Sequence, residues 1–205
     1  CRKQNRKDVP MGRKGDLTKQ HIKNQAMRLF AERGFKDVTM KDVCEAARLS
    51  RGGLYLHYES TRQIFSEIVD DLMNAQKDEF CEKIAQGVSA KVILLQVLER
   101  YKKEMADAHG SLSVAIYEFF SSVTAKQENA LYLQYQKSYL MWKQLLEYGI
   151  ARKEFKNVDV GAVFDLIVFA YQGVRMYSTL MPVGERTPEH IVSMIKTLLL
   201  PDGEV

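Results

Sequence analysis

Residues 39–62 read TMKDVCEAARLSRGGLYLHYESTR, and the reading of this stretch decides the fold. Thr39 is followed three residues later by Asp42, the spacing at which a cap hydroxyl and a carboxylate satisfy each other's backbone amides at a helix start. A short helix to about residue 47 follows, with Val43, Ala46 and Ala47 as its apolar side. Arg48 and Leu49 form a brief connector. Ser50 then caps a helix over 51–58, and Ser60, with Gln63 three residues on, caps a longer one to about residue 84. Within 51–58, Leu54 and Tyr58 lie four apart and share a face that packs inward. Arg51, Gly52 and Tyr55 point the other way: a cation, a bare backbone and a phenol. A first turn poor in side chains lets a helix approach another molecule closely, and its amides and dipole favour a phosphate. Capped helices joined by turns of a few residues form a helix-turn-helix, and the outward face suits a recognition helix in a DNA major groove about 12 Å wide.

Upstream, Ile22, Ala26, Leu29 and Phe30 recur at one helix face over 17–33, and Gly34 follows as a left-handed cap. Charge is unevenly spread. Residues 1–60 hold 14 Lys+Arg against 7 Asp+Glu, whereas residues 61–205 hold 16 against 19. A basic N-terminal part on a mildly acidic body points to a polyanion partner. Residues 1–14 carry six basic side chains and little that packs, so they read as a flexible basic arm, with Met11 a candidate native start.

Downstream, punctuation separates further helices: one after Gly87 and Ser89 to about residue 108, and one after Gly110, opened by Ser111, to about residue 123. Three more cover about 127–152, from Asp159 to about residue 180, and from Thr187-Pro188 to just before Pro201. The chain is expected to be all-α with about nine helices. Four prolines and 12 glycines are too few for the many turns of an all-β chain. The apolar stretch 158–183 contains Asp159, Asp165, Gln172 and Arg175, which favours a buried core helix over a membrane span.

The segments LFAERGF (29–35), TMKDVCEAARLS (39–50), RGGLYLHY (51–58) and GIARKEF (149–155) resemble the TetR family, the tetracycline-repressor-like regulators. The likeness is strong over 17–65; beyond, it rests on helix number, order and length. It implies a homodimer that binds palindromic double-stranded DNA, usually represses transcription, and releases DNA when a small-molecule effector enters the larger domain. The organisation expected is a basic arm (1–14), a helix-turn-helix DNA-binding domain (15–60) and a ligand-binding and dimerisation domain (61–205). By resemblance, Thr39, Met40 and Lys41 open the phosphate-gripping second helix. Ser50, Arg51, Gly52 and Gly53 form the base-facing start of the third, and Tyr55 and His57 match backbone-contacting positions. Thr61 stands where many members carry lysine, and Arg62 is the candidate substitute. Lys153 stands where a glycine is common.

The C-terminal part is rich in aromatic side chains, whose polar tips want partners when buried. Tyr101, Tyr117, Phe120, Tyr139, Trp142 and Phe169, with Gln172 and Arg175 as polar anchors, are the candidate effector pocket. The helix after Asp159 is apolar nearly all round, and the last helix carries an apolar stripe. Phe164, Val168, Gly173, Tyr177, Ile191, Met194, Ile195 and Leu198 are therefore the candidate dimer interface.

Nothing in the chain matches a catalytic, metal or cofactor motif; the four histidines are scattered, and no HExxH, GxSxG, GxGxxG or P-loop occurs. The reading is thus a non-enzyme without cofactor or metal. Three cysteines without a CxxC pair fit free thiols in a reducing cytoplasm, and no signal peptide or membrane partner is expected. A helical carrier or enzyme built around the aromatic cavity, or an interaction adaptor, is the alternative, with the basic head incidental.

Overall fold

The computed structural model describes residues 11–75, 80–107, 111–122 and 130–203, and among them finds ten α-helices and no strand. In chain order these are α1 (Met11–Arg33), α2 (Met40–Ala47), α3 (Arg51–Tyr55), α4 (Thr61–Ala75) and α5 (Cys81–Ala85). Then come α6 (Ala90–Ala106), α7 (Ser113–Ser121), α8 (Ala130–Ala151), α9 (Val160–Tyr177) and α10 (Thr187–Leu199). The expected helix ends near residues 108, 123 and 127, with the Gly110 stop, lie outside the described residues.

Three elements differ from the sequence reading. α1 already begins at Met11, so positions 11–14 are helical rather than part of an arm; Gly15 costs only about 1 kcal/mol inside a helix and does not stop it. The arm's residues 1–10 lie outside the described residues. The helix expected from 61 to about 84 is two helices: α4 ends at Ala75, and α5 follows Phe80. Phe80 is 1% exposed and packs edge-on against Trp142, 5.3 Å between ring centres. α3 closes at Tyr55, although Tyr58 N–H still donates to the Leu54 carbonyl at 3.0 Å, so Tyr58 stays on the same inward side.

The buried side chains form two cores. The first joins Ile22, Ala26 and Phe30 of α1, Val43 and Ala47 of α2, Leu54 of α3, Tyr58, and Ile64, Phe65, Ile68 and Val69 of α4. The second gathers α6, α8, α9 and α10 around Trp142, Leu145, Phe164 and Ile167. We call the two parts the head and the body. α7 belongs to both in effect: its Ala115 and Phe119 complete the head core, while the helix also packs on α9.

The turn at 149–155 shows how the body is pinned. A Cβ on Gly149 would stand 2.2 Å from the buried Phe155 ring, so only glycine fits there. Lys153 takes a left-handed conformation, φ 58°, at a cost of about 1 kcal/mol for a residue with a side chain. This swings Glu154 onto the start of α6, where its carboxylate accepts from Ser89 Oγ at 2.6 Å, Lys91 N at 3.0 Å and Arg152 Nε at 2.6 Å. Burial alone would raise the Glu154 pKa, but these hydrogen bonds, led by Arg152, bring it down to about 2. A depressed carboxylate stabilises the fold above the ordinary glutamate range and loses that contribution as pH falls toward its folded value. Glu154→Gln is therefore expected to lower Tm by several degrees at neutral pH. It should also flatten the fall in Tm between about pH 5 and about pH 2 relative to wild type. Thermal melts across that range check this; parallel acid limbs in the two proteins would contradict it.

Candidate nucleic-acid interface

The site is built by two consecutive caps. Thr39 N–H donates to Asp42 Oδ2 at 2.8 Å, and Asp42 N–H donates back to Thr39 Oγ1 at 3.3 Å. The Thr39 hydroxyl also donates to the Asp42 carboxylate. This hydroxyl, then the Thr39 amide, and the Arg33 guanidinium at 3.2 Å lower the Asp42 pKa. The capping box read from the sequence is present, but it occupies both Thr39 donors assigned to phosphate. The turn after α2 closes through Arg48 in the left-handed region, φ 55°. Arg48 N–H donates to Glu45 O at 3.2 Å and Leu49 N–H to Cys44 O at 3.0 Å, the paired bonds of a Schellman motif. Ser50 Oγ then accepts from Gly53 N at 3.1 Å, which starts α3.

α3 presents the expected two faces. Leu54 is fully buried, and Tyr58 is buried with its hydroxyl donating to Glu67 Oε2 at 2.9 Å. Burial first, then Glu67, raises the Tyr58 pKa, so the phenol remains a donor. Outward stand Arg51 and Gly52, both exposed, and Tyr55, 43% exposed, with the Arg51 guanidinium 5.6 Å from the Tyr55 ring centre. The two glycines differ. A Cβ on Gly53 would crowd Ser50 Oγ at 3.2 Å, whereas one on Gly52 would meet nothing within 4 Å. Gly53 thus serves the cap, and nothing inside the protein requires a glycine at 52.

The remaining candidates divide. Lys41 is exposed and 3.9 Å from Glu45. Met40 packs against the head core instead of facing outward, because it lies in the first turn of α2 beside the head's apolar side chains. His57 is half-buried. Arg62 is exposed and turns toward α7: its Nη2 donates to Ser122 Oγ at 3.2 Å and its guanidinium lies 5.6 Å from the Phe119 ring centre. The aromatic ring and hydroxyl at the end of α7 hold the cation there. Beside it, Glu118 of α7 accepts two head amides on one oxygen, Phe35 N at 2.7 Å and Lys36 N at 3.0 Å. Sequence reading missed Glu118, whose partners lie more than 80 positions away.

In the body, Tyr101, Tyr139, Trp142 and Arg175 do lie among packed rings. Tyr117 at 61% and Phe169 at 64% exposure do not. Gln172 is likewise exposed, because α9 turns Tyr171 and Val174 inward instead. Phe120 sits at the head junction against Phe119. Of the expected interface, Phe164 and Ile195 are buried in the body core and unavailable to a partner. Val168 and Ile191 are half-buried against that core, and Gly173 has open space at its Cβ. Tyr177, Met194 and Leu198 are exposed, as are Leu166 and Phe169.

A basic helix-turn-helix head on an all-helical body defines a DNA-binding transcriptional regulator. The family model for bacterial regulatory proteins of the tetR family matches residues 22–68, and that for the tetracyclin repressor-like C-terminal domain matches residues 93–187. The chain belongs to the TetR family. It is 28% identical over 200 residues to the HTH-type transcriptional repressor KstR2 of Rhodococcus jostii, covering 96% of this chain and 94% of that protein. It is also 28% identical over 152 residues to an uncharacterized HTH-type transcriptional regulator, YfiR of Bacillus subtilis, covering 70% and 74%. A TetR transcription regulator from Haloarcula marismortui shares the fold with a TM-score of 0.69 at 17% identity, over 89% of this chain and 96% of that one.

Gly52→Ala separates fold from interface. With open space at the Cβ, the substitution is expected to leave Tm unchanged or slightly raised, since alanine favours a helix by up to about 1 kcal/mol. DNA affinity should fall at least about tenfold as the methyl group blocks close approach. Melting curves and a duplex titration check both; unaltered DNA affinity would contradict the assignment.

Proposed function

We propose that the protein is a homodimeric repressor that leaves a palindromic operator when a small apolar or aromatic effector enters its body. The observation that carries this reading is the outward face of α3, where Arg51, Gly52 and Tyr55 are presented together and Gly52 has no internal packing reason to lack a side chain. Arg51 reads base edges, with guanine O6 and N7 as its natural acceptors. Tyr55, His57, Lys41 and the start of α2 grip phosphates and set register. Thr39 joins them by exchanging its hydrogen bond to Asp42 for one to phosphate. The relative KstR2 is named a repressor, which supports repression as the outcome.

Two copies meet through the outer faces of α9 and α10. Leu166, Phe169 and Tyr177 on one helix and Met194 and Leu198 on its neighbour leave a large apolar surface outside the core, the kind that a second subunit covers. Two heads on a two-fold axis then enter successive major grooves about 34 Å apart or a multiple of it. The effector site lies between α6, α8 and α9, around Tyr101, Trp142 and Arg175, with Tyr139 nearby on α8.

Binding to a selected operator is expected to weaken roughly a hundredfold between about 50 and about 200 mM salt if about four phosphates are neutralised. Arg51→Ala should cost specific binding about 1–3 kcal/mol while changing non-specific binding much less. Fluorescence anisotropy with operator and scrambled duplexes checks both. A flat salt dependence would remove the head's role, and equal losses on both duplexes would make Arg51 a phosphate contact.

A further inference from the structure

We propose that the effector is an organic carboxylate with an apolar body, its carboxylate held by Arg175 and a second acceptor reaching Trp142; this rests on the body being the effector site. Tyr101 of α6 and Tyr171 of α9 stack at 4.2 Å between ring centres. On one side of the pair lies Trp142, 6.1 Å from Tyr101; on the other lies Arg175, its guanidinium 5.1 Å from the Tyr171 ring centre. Trp142 is fully buried, and its indole Nε1–H meets no acceptor among the described residues. The Arg175 Nε–H is buried in the same condition. Indole and guanidinium nitrogens only donate, and a buried donor left unpaired is costly. The protein's own polar groups are arranged so that these two donors stay unpaired. Arg175 Nη1 donates to Tyr171 Oη at 2.7 Å, and that hydroxyl donates onward to the Glu104 carboxylate. Burial first, then Glu104, raises the Tyr171 pKa, so the phenol stays neutral and can play both parts. Glu104 is further engaged by Arg100 at 3.6 Å. Arg175 thus reaches the Glu104 carboxylate only through the Tyr171 hydroxyl.

Unpaired donors at both ends select acceptors, and the guanidinium at one of them favours an anionic one. Gln134 Oε1 on α8 is also buried without a partner, but an amide can turn either its oxygen or its nitrogen to a ligand and sets no preference. A carboxylate on the edge of Arg175 gains a charge-assisted hydrogen bond that an alcohol of the same skeleton does not. An amine would place a third donor and a like charge there. The aromatic rings of Tyr101 and Trp142 offer the ligand's apolar body a surface to pack on.

Trp142 is the chain's single tryptophan, so its emission reports occupancy directly. The probes are 4-phenylbutyrate, 4-phenylbutan-1-ol and 4-phenylbutylamine, which share one skeleton, titrated into the full-length protein. The acid is expected to shift Trp142 emission saturably with a Kd at least about tenfold below that of the alcohol, and the amine to give no saturable change. Arg175→Met should bring the acid's Kd up to the alcohol's while leaving the alcohol's unchanged, and Arg175→Lys should restore part of the preference. If Arg175→Met does not fold, the wild-type ranking of the three probes decides alone. Equal binding of acid and alcohol, preferential binding of the amine, or no binding by any of the three would overturn the inference. Duplex binding is measured in the same samples. Acid binding without DNA release would support the carboxylate site and count against ligand-released repression. DNA binding with no response to the acid would overturn the carboxylate site alone.

Discussion

One carboxylate ties the two cores together. Glu118, on the only described helix that packs into both head and body, takes the amides of Phe35 and Lys36 on a single oxygen. Those amides follow α1, just before the chain enters the helix-turn-helix. Hydrogen bonds to a charged acceptor contribute about 1.5–3 kcal/mol each, and here they act at the point where the head could pivot. Gly34 fits the same constraint twice: its φ is 79°, and a Cβ there would stand 2.7 Å from Glu118 Oε2. Around the hook, Phe35, Phe65 and Phe119 pack ring to ring at 5.1–5.2 Å, and Arg62 covers Phe119 from outside. The loop that leads into α2 is therefore held from α7.

This arrangement gives a physical route between the two ends of the molecule. α9 carries Tyr171 and Arg175 and packs against α7, and α7 holds the loop that leads into α2. In the proposed dimer, an effector that favoured one placement of α9 would bias α7, and with it the spacing of the two heads. The coupling required is modest, about 1–3 kcal/mol for roughly 5- to 150-fold release. α9 is suited to this because both of its faces are committed: Phe164, Ile167 and Tyr171 inward, Leu166 and Phe169 outward.

Local grammar made the head legible in the sequence. Thr39 with Asp42, Ser50 with Gly53 and the pair Leu54 and Tyr58 are interactions within three or four residues, and spacing alone reveals them. Lys153, read as a departure at a glycine position, does adopt the left-handed conformation there. What the sequence did not reveal depends on distant partners. Arg62 turns to Phe119 and Ser122, 57 and 60 positions along, contacts that spacing cannot reveal. α9 and α10 are apolar on more than one side, so periodicity could not say that Phe164 and Ile195 go inward while Phe169 and Met194 go outward. Gln172 looked like a buried polar anchor inside an apolar run, yet Tyr171, one position earlier, takes the interior and brings Glu104 with it.

If the body sets the head's DNA-binding geometry through Glu118, removing the charge of that carboxylate weakens DNA binding. The direct measurement is the DNA affinity of Glu118→Gln, compared with wild type on the same duplex and alongside thermal melts that verify folding. The amide side chain keeps the shape but removes the charge that holds the two backbone amides, and both partners, Phe35 and Lys36, lie outside α3. A folded protein with at least about a tenfold loss of affinity is expected. A folded variant that binds DNA as tightly as wild type would contradict it.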